Sequence, residues 1–131
     1  MKSKVLKINT AGKWEFVEVE GTRADPIPLK TLQEAVGGDI ECWNLDVVGL
    51  PDIDLWLNEE GKIKGLPLNP FASLVSGIFQ FNNVIVGNVI LCSSTGAGIS
   101  VGLNAKQEEA LRKHIAKVER MIKNHRERKA K

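Results

Sequence analysis

The chain has 131 residues, of which 43% are hydrophobic and 26% are charged, and its formal net charge is +2. This length and composition suit one soluble globular domain with a single core. The longest uncharged stretch lies between Lys64 and Lys106. Prolines, asparagines and glycines interrupt it, so it predicts buried strands and turns and excludes a membrane-spanning helix of about 20 residues.

The charge is divided unevenly along the chain. Residues 112–131 contain nine Lys or Arg and two acidic residues, a net charge of +7, whereas residues 1–111 carry a net charge of −5. Such asymmetry favours an anionic partner, or contact between the basic end of one copy and the acidic body of another. The N-terminal residues lack the apolar core of a secretion signal, so we expect a protein in the cytoplasm of a host cell.

A hairpin and a short helix are predicted first. Apolar and polar residues alternate over residues 13–20, and the Asn/Gly cluster at residues 9–13 separates this strand from an earlier one that contains Val5. Residues 29–36 have apolar side chains at helical spacing, and the glycine pair that begins at Gly37 is a typical signal for the end of a helix.

Two further strands follow, over residues 39–45 and residues 53–57. Residues 58–61 then predict a turn, because Asn and Gly tolerate a positive φ and the two glutamates suit solvent. We expect a short returning strand around Ile63 and, after it, a loop containing Pro67 that cannot be a central strand.

The next segment predicts a second helix and a buried strand. The helix is indicated by apolar residues at helical spacing, Phe71, Leu74, Val75 and Ile78. Residues 84–91 are almost wholly apolar and largely β-branched, which favours a strand buried on both faces. Residues 93–98 predict a turn of small residues, and residues 99–103 predict a short pairing strand.

A long amphipathic helix is predicted at the C-terminal end. Asn104 with Gln107 resembles a capping box at its start. Its apolar stripe consists of Leu111, Ile115, Val118 and Ile122. The stripe ends there, so we expect a single domain over residues 1–123 and a basic, frayed tail over residues 124–131.

Together these elements predict an α+β fold. The expected architecture is an antiparallel or mixed sheet of about five to seven strands, with helices on one face. The long C-terminal amphipathic helix belongs to the same domain.

Three segments in a fixed order carry a family resemblance. They are Gly37-Gly38-Asp39-Ile40-Glu41, then Asn58-Glu59-Glu60-Gly61-Lys62 with Gly65-Leu66-Pro67 and Asn69, and then Val84-Ile85-Val86-Gly87-Asn88. The combination resembles the domain of unknown function 3846 family, small proteins frequent in phages and mobile elements, over roughly residues 4–120. The resemblance implies the fold and a phage-like origin, and no activity. Two positions depart from the family pattern: Pro70 replaces an expected Arg, and Asn83 replaces an expected acidic residue.

A glycine- and hydroxyl-rich set is one candidate ligand site. Its members are Gly87, Ser93, Ser94, Thr95, Gly96 and Gly98. Backbone amides and hydroxyls suit a phosphate, so one hypothesis is a small-molecule binder, for instance of a nucleotide, that also uses a tryptophan. A phosphate loop normally leads into a helix and carries a Lys, whereas a strand is predicted at Ile99, so a surface hairpin turn is the alternative.

The basic side of the C-terminal helix is a second candidate, for an anionic partner. Its members are Arg112, Lys113, Lys117, Arg120, Lys123 and Arg126. These cations suit nucleic-acid phosphates. The alternative is an amphipathic helix whose polar face is basic, as the helix dipole favours near a C-terminus. No aromatic residue lies between these charges, so stacking of single-stranded bases is not predicted.

The other polar residues predict no catalytic set. His114 and His125 have no Asp or Cys nearby in the sequence that suggests a triad. Cys42 and Cys92 lie in strand-like segments without further ligands at metal spacing, which predicts buried free thiols, no metal and no cofactor. We therefore expect a non-enzymatic accessory protein of phage or mobile-element type that contacts a protein partner or a second copy. Nucleic-acid binding is an alternative, and no membrane association is expected.

Overall fold

The computed structural model describes residues 1–130 of the chain. Its strands and helices are, in chain order, β1 (Lys2–Ile8), β2 (Trp14–Glu20), α1 (Leu29–Val36), β3 (Ile40–Asn44), β4 (Ile53–Asn58), α2 (Pro70–Ser76), β5 (Val89–Ser94), β6 (Ser100–Val101) and α3 (Ala105–Ala130). Short 3-10 turns at Leu45–Val48 and Ile78–Phe81 follow β3 and α2.

All strand pairs are antiparallel, and the strands lie in the order β2-β1-β5-β4-β3, with β6 paired to the end of β5. The row therefore ends in two edge strands, β2 and β3. The predicted α+β class, the antiparallel sheet and the long C-terminal helix are confirmed.

Both faces of the sheet are covered, because the residues of its central strands alternate between two apolar clusters. Leu55 and Leu91 pack beneath α2 and α3 on one face. Val5 and Ile90 pack beneath α1 on the other. The sequence predicted helices on one face of the sheet. The helix α1 lies on the other face, because β1 and β5 place apolar residues on both of their sides.

The buried strand begins later than the apolar pattern predicted, since β5 spans Val89–Ser94 and not residues 84–91. Just before β5, the N–H of Gly87 donates to the carbonyl of Pro67 at 2.7 Å, and a φ of +79° at this glycine turns the chain. Hydrogen bonds to the loop that precedes α2 therefore take the place of sheet pairing in this apolar segment.

The prediction of a short strand around Ile63 is wrong, because residues 59–65 form turns. The N–H of Lys64 donates to the carbonyl of Glu60 at 2.9 Å, which is the i to i−4 bond of a helical turn. Ile63 has no strand partner and is 87% exposed in this loop.

The predicted start of α3 is confirmed. Asn104 Oδ1 accepts the N–H of Gln107 at 2.8 Å, and Gln107 Oε1 accepts the N–H of Asn104 at 2.9 Å, which is a capping box. The predicted stripe is buried as far as Val118, and Ile122 is half-buried. The helix continues through Ala130, where a frayed tail was predicted, because the Lys, Arg and Glu residues there are good helix formers. Lys131 lies outside the described residues.

The fully buried side chain of Asn69 joins three elements. Its Nδ2 donates to the carbonyl of Gly87 at 2.9 Å and to the carbonyl of Ile8 at 3.4 Å. Its Oδ1 accepts the N–H of Ala72 at 3.1 Å, so Asn69 is the N-cap of α2, with Pro70 at the first helical position. One amide thereby connects α2, the end of β1 and the bend before β5.

Replacing Asn69→Ala should lower the free energy of unfolding by about 2–4 kcal/mol, because it removes a cap and leaves buried backbone groups without a partner. The matched control is Asn104→Ala, which removes the exposed cap of α3 and should cost about 1 kcal/mol. Urea denaturation measures both variants. Equal losses in the free energy of unfolding of the two variants would contradict the role of Asn69 in connecting α2, the end of β1 and the bend before β5.

Candidate functional site

The three segments that carry the family resemblance meet at one end of the sheet. At the end of β4, the buried Asn58 donates from Nδ2 to the carbonyl of Val36 at 3.2 Å and accepts the N–H of Glu60 at 2.8 Å. The N–H of Glu59 donates to the carbonyl of Asp39 at 2.9 Å. The loop after β4 is thereby bonded to the end of α1 and to the start of β3.

Two glycines allow this loop to pack closely against the segment before β5. A Cβ at Gly61 would lie 2.7 Å from Cγ2 of Val86, and a Cβ at Gly87 would lie 2.9 Å from Cδ1 of Leu66. Real Cβ atoms do not approach other atoms so closely, so larger residues here would push the two segments apart.

A groove of about 220 Å³ lies beside these loops, between β3, β4 and the segment that follows α2. Its lining includes the apolar side chains of Trp43 and Ile63 and the charged side chains of Glu41 and Lys62. We call it the aromatic groove.

Apolar and polar side chains together line the aromatic groove, and Trp43 is the one aromatic side chain among the described residues that line it. Trp43 is fixed by a hydrogen bond from its Nε1 to the carbonyl of Ser76 at 2.8 Å, and its ring meets that of Phe81 edge-on, with centroids 5.4 Å apart. Phe81 is 58% exposed and Ile63 is 87% exposed. Large exposed apolar side chains such as Ile63 in the groove and Phe81 against Trp43 are typical of interaction surfaces.

The two positions that depart from the family pattern have local roles. Asn83 Oδ1 accepts a hydrogen bond from Lys62 Nζ, and both residues line the aromatic groove. Pro70 begins α2 directly after its Asn69 cap. Position 83 therefore pairs with the loop after β4 in this chain, and not with position 70.

A larger and more open groove of about 710 Å³ lies between α1 and the β1–β2 hairpin. Its charged lining residues are Lys7, Lys13, Glu15 and Glu34. Lys7 and Glu15 lie opposite each other on β1 and β2. Charges of both signs in equal number give this groove no preference for an anionic ligand.

The predicted ligand set is not brought together. Gly87 lies at the bend before β5, whereas Ser93 lies near the other end of that strand. The Ser93 hydroxyl donates to the carbonyl of Asp52 at 2.8 Å and accepts from Gln107 Nε2 at 2.9 Å. Thr95 Oγ1 accepts two N–H groups of its own turn. These hydroxyls support the fold, and ligand binding by the set Ser93, Ser94, Thr95, Gly96 and Gly98 stays a prediction.

The predicted basic set lies on the exposed side of α3, but its members differ in their contacts. Arg112 Nε forms an ion pair with Glu108 Oε2 at 2.9 Å, and Arg112 Cζ lies 4.4 Å from the centroid of the Phe16 ring. Lys113 forms an ion pair with Glu109 at 3.1 Å. The other four cations are exposed and form no ion pair with another described residue: Lys117, Arg120, Lys123 and Arg126.

The two cysteines differ in exposure, and only Cys92 is buried as predicted. Cys42 is exposed, because β3 is an edge strand. Partial desolvation, followed by the charge of the buried Asp54 and a hydrogen bond to it, raises the pKa of the Cys42 thiol to about 12. Asp54 Oδ1 accepts from Asn44 Nδ2 at 3.0 Å. Burial raises the pKa of the Cys92 thiol to about 11.

Replacing Asp54→Asn should accelerate the alkylation of Cys42 by iodoacetamide at pH 8.5. The thiolate is the reactive form, and removing the Asp54 charge lowers the pKa of Cys42, with about a tenfold change in thiolate fraction for each pKa unit. Mass spectrometry of the Cys42 peptide measures the rate. The buried Cys92 is the internal control and should react slowly in both proteins. An unchanged Cys42 rate would contradict the effect of Asp54.

Within residues 1–130, no group of three or more His, Cys, Asp or Glu side chains is arranged to hold a metal ion. No helix of the described part of the chain combines the length and the apolar character needed to cross a membrane.

The fold is an antiparallel α+β domain whose loops converge beside the aromatic groove. The family model described as "Domain of unknown function (DUF3846)" matches residues 1–116, and the chain belongs to this family. No curated protein matches the chain, and no solved structure matches it.

Proposed function

We propose that this protein is a non-enzymatic binding protein that acts through protein–protein contact at the aromatic groove. We further propose that it is an accessory protein of a phage or mobile element and works in the cytoplasm of the host cell. The observation that carries the proposal is the exposure of two large apolar side chains at this surface: Ile63, which lines the groove, and Phe81, which contacts Trp43. Interfaces of soluble proteins are enriched in aromatic residues at their centre and have a polar rim.

The composition of the groove also supports a protein partner. Trp43 combines a fixed indole with partial exposure, and such rigid aromatic side chains often contribute most of the binding energy in a protein interface. Glu41 and Lys62 add charges of both signs at the same groove, which suits orientation of a partner with complementary charges.

Replacing Ile63→Asp should weaken the association of this protein with its partner at least about tenfold, because it puts a carboxylate in place of an exposed apolar side chain that lines the groove. The matched control is Ile99→Asp, the same chemical change at the opposite end of the sheet, where Ile99 is 43% exposed. Light scattering of the pure proteins and quantitative affinity capture from the cells of origin compare wild type with both variants.

We expect wild type and the Ile99 variant to retain a common complex that the Ile63 variant loses. Wild type that stays monomeric and captures the same proteins as the Ile63 variant would contradict the proposed function. Circular dichroism confirms that both variants fold, which is expected because both side chains are exposed.

A second candidate function is nucleic-acid binding by α3. The observation that favours it is the group of four exposed cations without an ion pair among the described residues, at positions 117, 120, 123 and 126. They follow one another at intervals of three residues along the helix, so phosphates of a nucleic-acid backbone could contact several of them together.

Replacing Arg120, Lys123 and Arg126 by Gln should weaken binding to a mixed-sequence DNA duplex and lower the slope of log K against log salt by about 3. Fluorescence anisotropy at several salt concentrations measures this slope. A control variant has the same change in net charge on the body, at the exposed residues Lys2, Lys30 and Lys64. Equal losses in the two variants, or no binding by wild type, would contradict the second candidate.

A further inference from the structure

The edge strand β3 has backbone groups that no strand pairs. Asp39 and Glu59 lie opposite each other, just beyond the paired residues of β3 and β4, and the N–H of Glu59 donates to the carbonyl of Asp39 at 2.9 Å. Hydrogen-bonded and non-bonded pairs alternate along an antiparallel ladder. The N–H and C=O groups of Ile40 and Cys42 therefore point away from β4, toward the open side of the sheet.

The two edges of the sheet differ in how well they are protected against pairing. The seven residues of β2 include Glu15, Glu18 and Glu20, all exposed, and charged side chains of this kind discourage pairing at an edge. The five residues of β3 include one charged residue, Glu41, and no proline. The edge of β3 is therefore the better template for a further strand.

The geometry points to a second copy of this chain as the occupant of that edge, with the β3 strands of two copies paired antiparallel about a two-fold axis at Cys42. This inference names the partner of the contact surface proposed above and rests on that proposed function. A five-residue strand that pairs with itself over its whole length has its third residue on the axis, and Cys42 is the third residue of Ile40–Asn44. Isologous pairing of this type is the commonest symmetry of protein dimers.

The pairing fixes which side chains meet across the axis. Each Cys42 lies opposite the Cys42 of the other copy, with Cα atoms about 5.5 Å apart in a hydrogen-bonded pair. Each Trp43 lies opposite Glu41, and the two Trp43 side chains become diagonal neighbours at about 7–8 Å, on the face of the sheet that bears the aromatic groove.

The aromatic pair of Trp43 and the exposed Phe81 adds apolar area to the strand pairing. A stable interface buries roughly 800 Å² on each partner, which is more than five residues of one strand supply. Phe81 is in edge-to-face contact with Trp43 and is 58% exposed. A second copy at this edge brings the same aromatic pair to the other side of the axis, so the exposed rings of the two copies cover each other.

Oxidative cross-linking tests the pairing directly. A Cα separation of about 5.5 Å lies in the range that a disulfide spans. Copper–phenanthroline oxidation of wild type at pH 8.5 should therefore give a Cys42–Cys42 linked dimer of twice the 14.4 kDa chain mass, formed slowly because the raised pKa of Cys42 leaves little thiolate at this pH. Cys42→Ser should abolish the cross-link, and Cys92→Ser should retain it, because Cys92 is buried.

Light scattering without oxidant provides a measurement that does not depend on thiol reactivity. Wild type at 100 µM should have the mass of a dimer, and Cys42→Lys should have the mass of a monomer, since like charges directly opposite each other oppose pairing. Glu18→Lys, on the exposed side of the other edge strand, is the control and should remain a dimer. Circular dichroism verifies the fold of each variant.

A monomeric mass for wild type, or a dimer that survives Cys42→Lys, would overturn this pairing. In either case the proposed function stands if Ile63→Asp still loses a complex that Ile99→Asp retains. The proposed function and the pairing both fail only if wild type is monomeric and wild type and the Ile63 variant capture the same proteins.

Discussion

The buried amide of Asn69 is the contact on which the arrangement of the candidate site depends. It donates to carbonyls from two distant parts of the chain and accepts an N–H of α2, so both ends of the amide are used. The backbone N–H of Asn69 also donates to the carbonyl of Ile85 at 2.8 Å. These bonds hold the apolar segment before β5 against α2, which places one wall of the aromatic groove.

The groove and the free edge of the sheet form one continuous surface, because Trp43 belongs to both. Its backbone lies in β3, its indole is fixed by the carbonyl of Ser76, and its ring contacts the exposed Phe81. A partner that pairs with the edge therefore also meets the aromatic side chains. This combination of backbone hydrogen bonds with a few apolar side chains is how β-strand addition obtains both affinity and specificity.

Local patterns predicted the parts of the fold whose cause is local. The hairpin of β1 and β2, the end of α1 at Gly37 and the capping box of Asn104 and Gln107 each depend on residues close together in the chain. The later start of β5 and the exposure of Cys42 depend on partners far along the chain. The turn at Ile63 is closed by the local bond from Lys64 to Glu60, and the apolar side chain of Ile63 indicated a strand instead. Local patterns could not predict the aromatic groove either, because its walls come from three separate segments.

The helix α3 is longer than the part of it that packs on the core. The family match ends at residue 116, close to the middle of a helix of 26 residues that is about 39 Å long at 1.5 Å per residue. Its first half is anchored by the buried Leu111 and Ile115. Its apolar contacts continue through Val118 to the half-buried Ile122, and residues 123–129 are exposed. Each turn added or removed beyond Ile122 would therefore move the terminal charges by about 5.4 Å along the axis without removing a core contact. The length of this exposed end therefore sets how far its charges lie from the core.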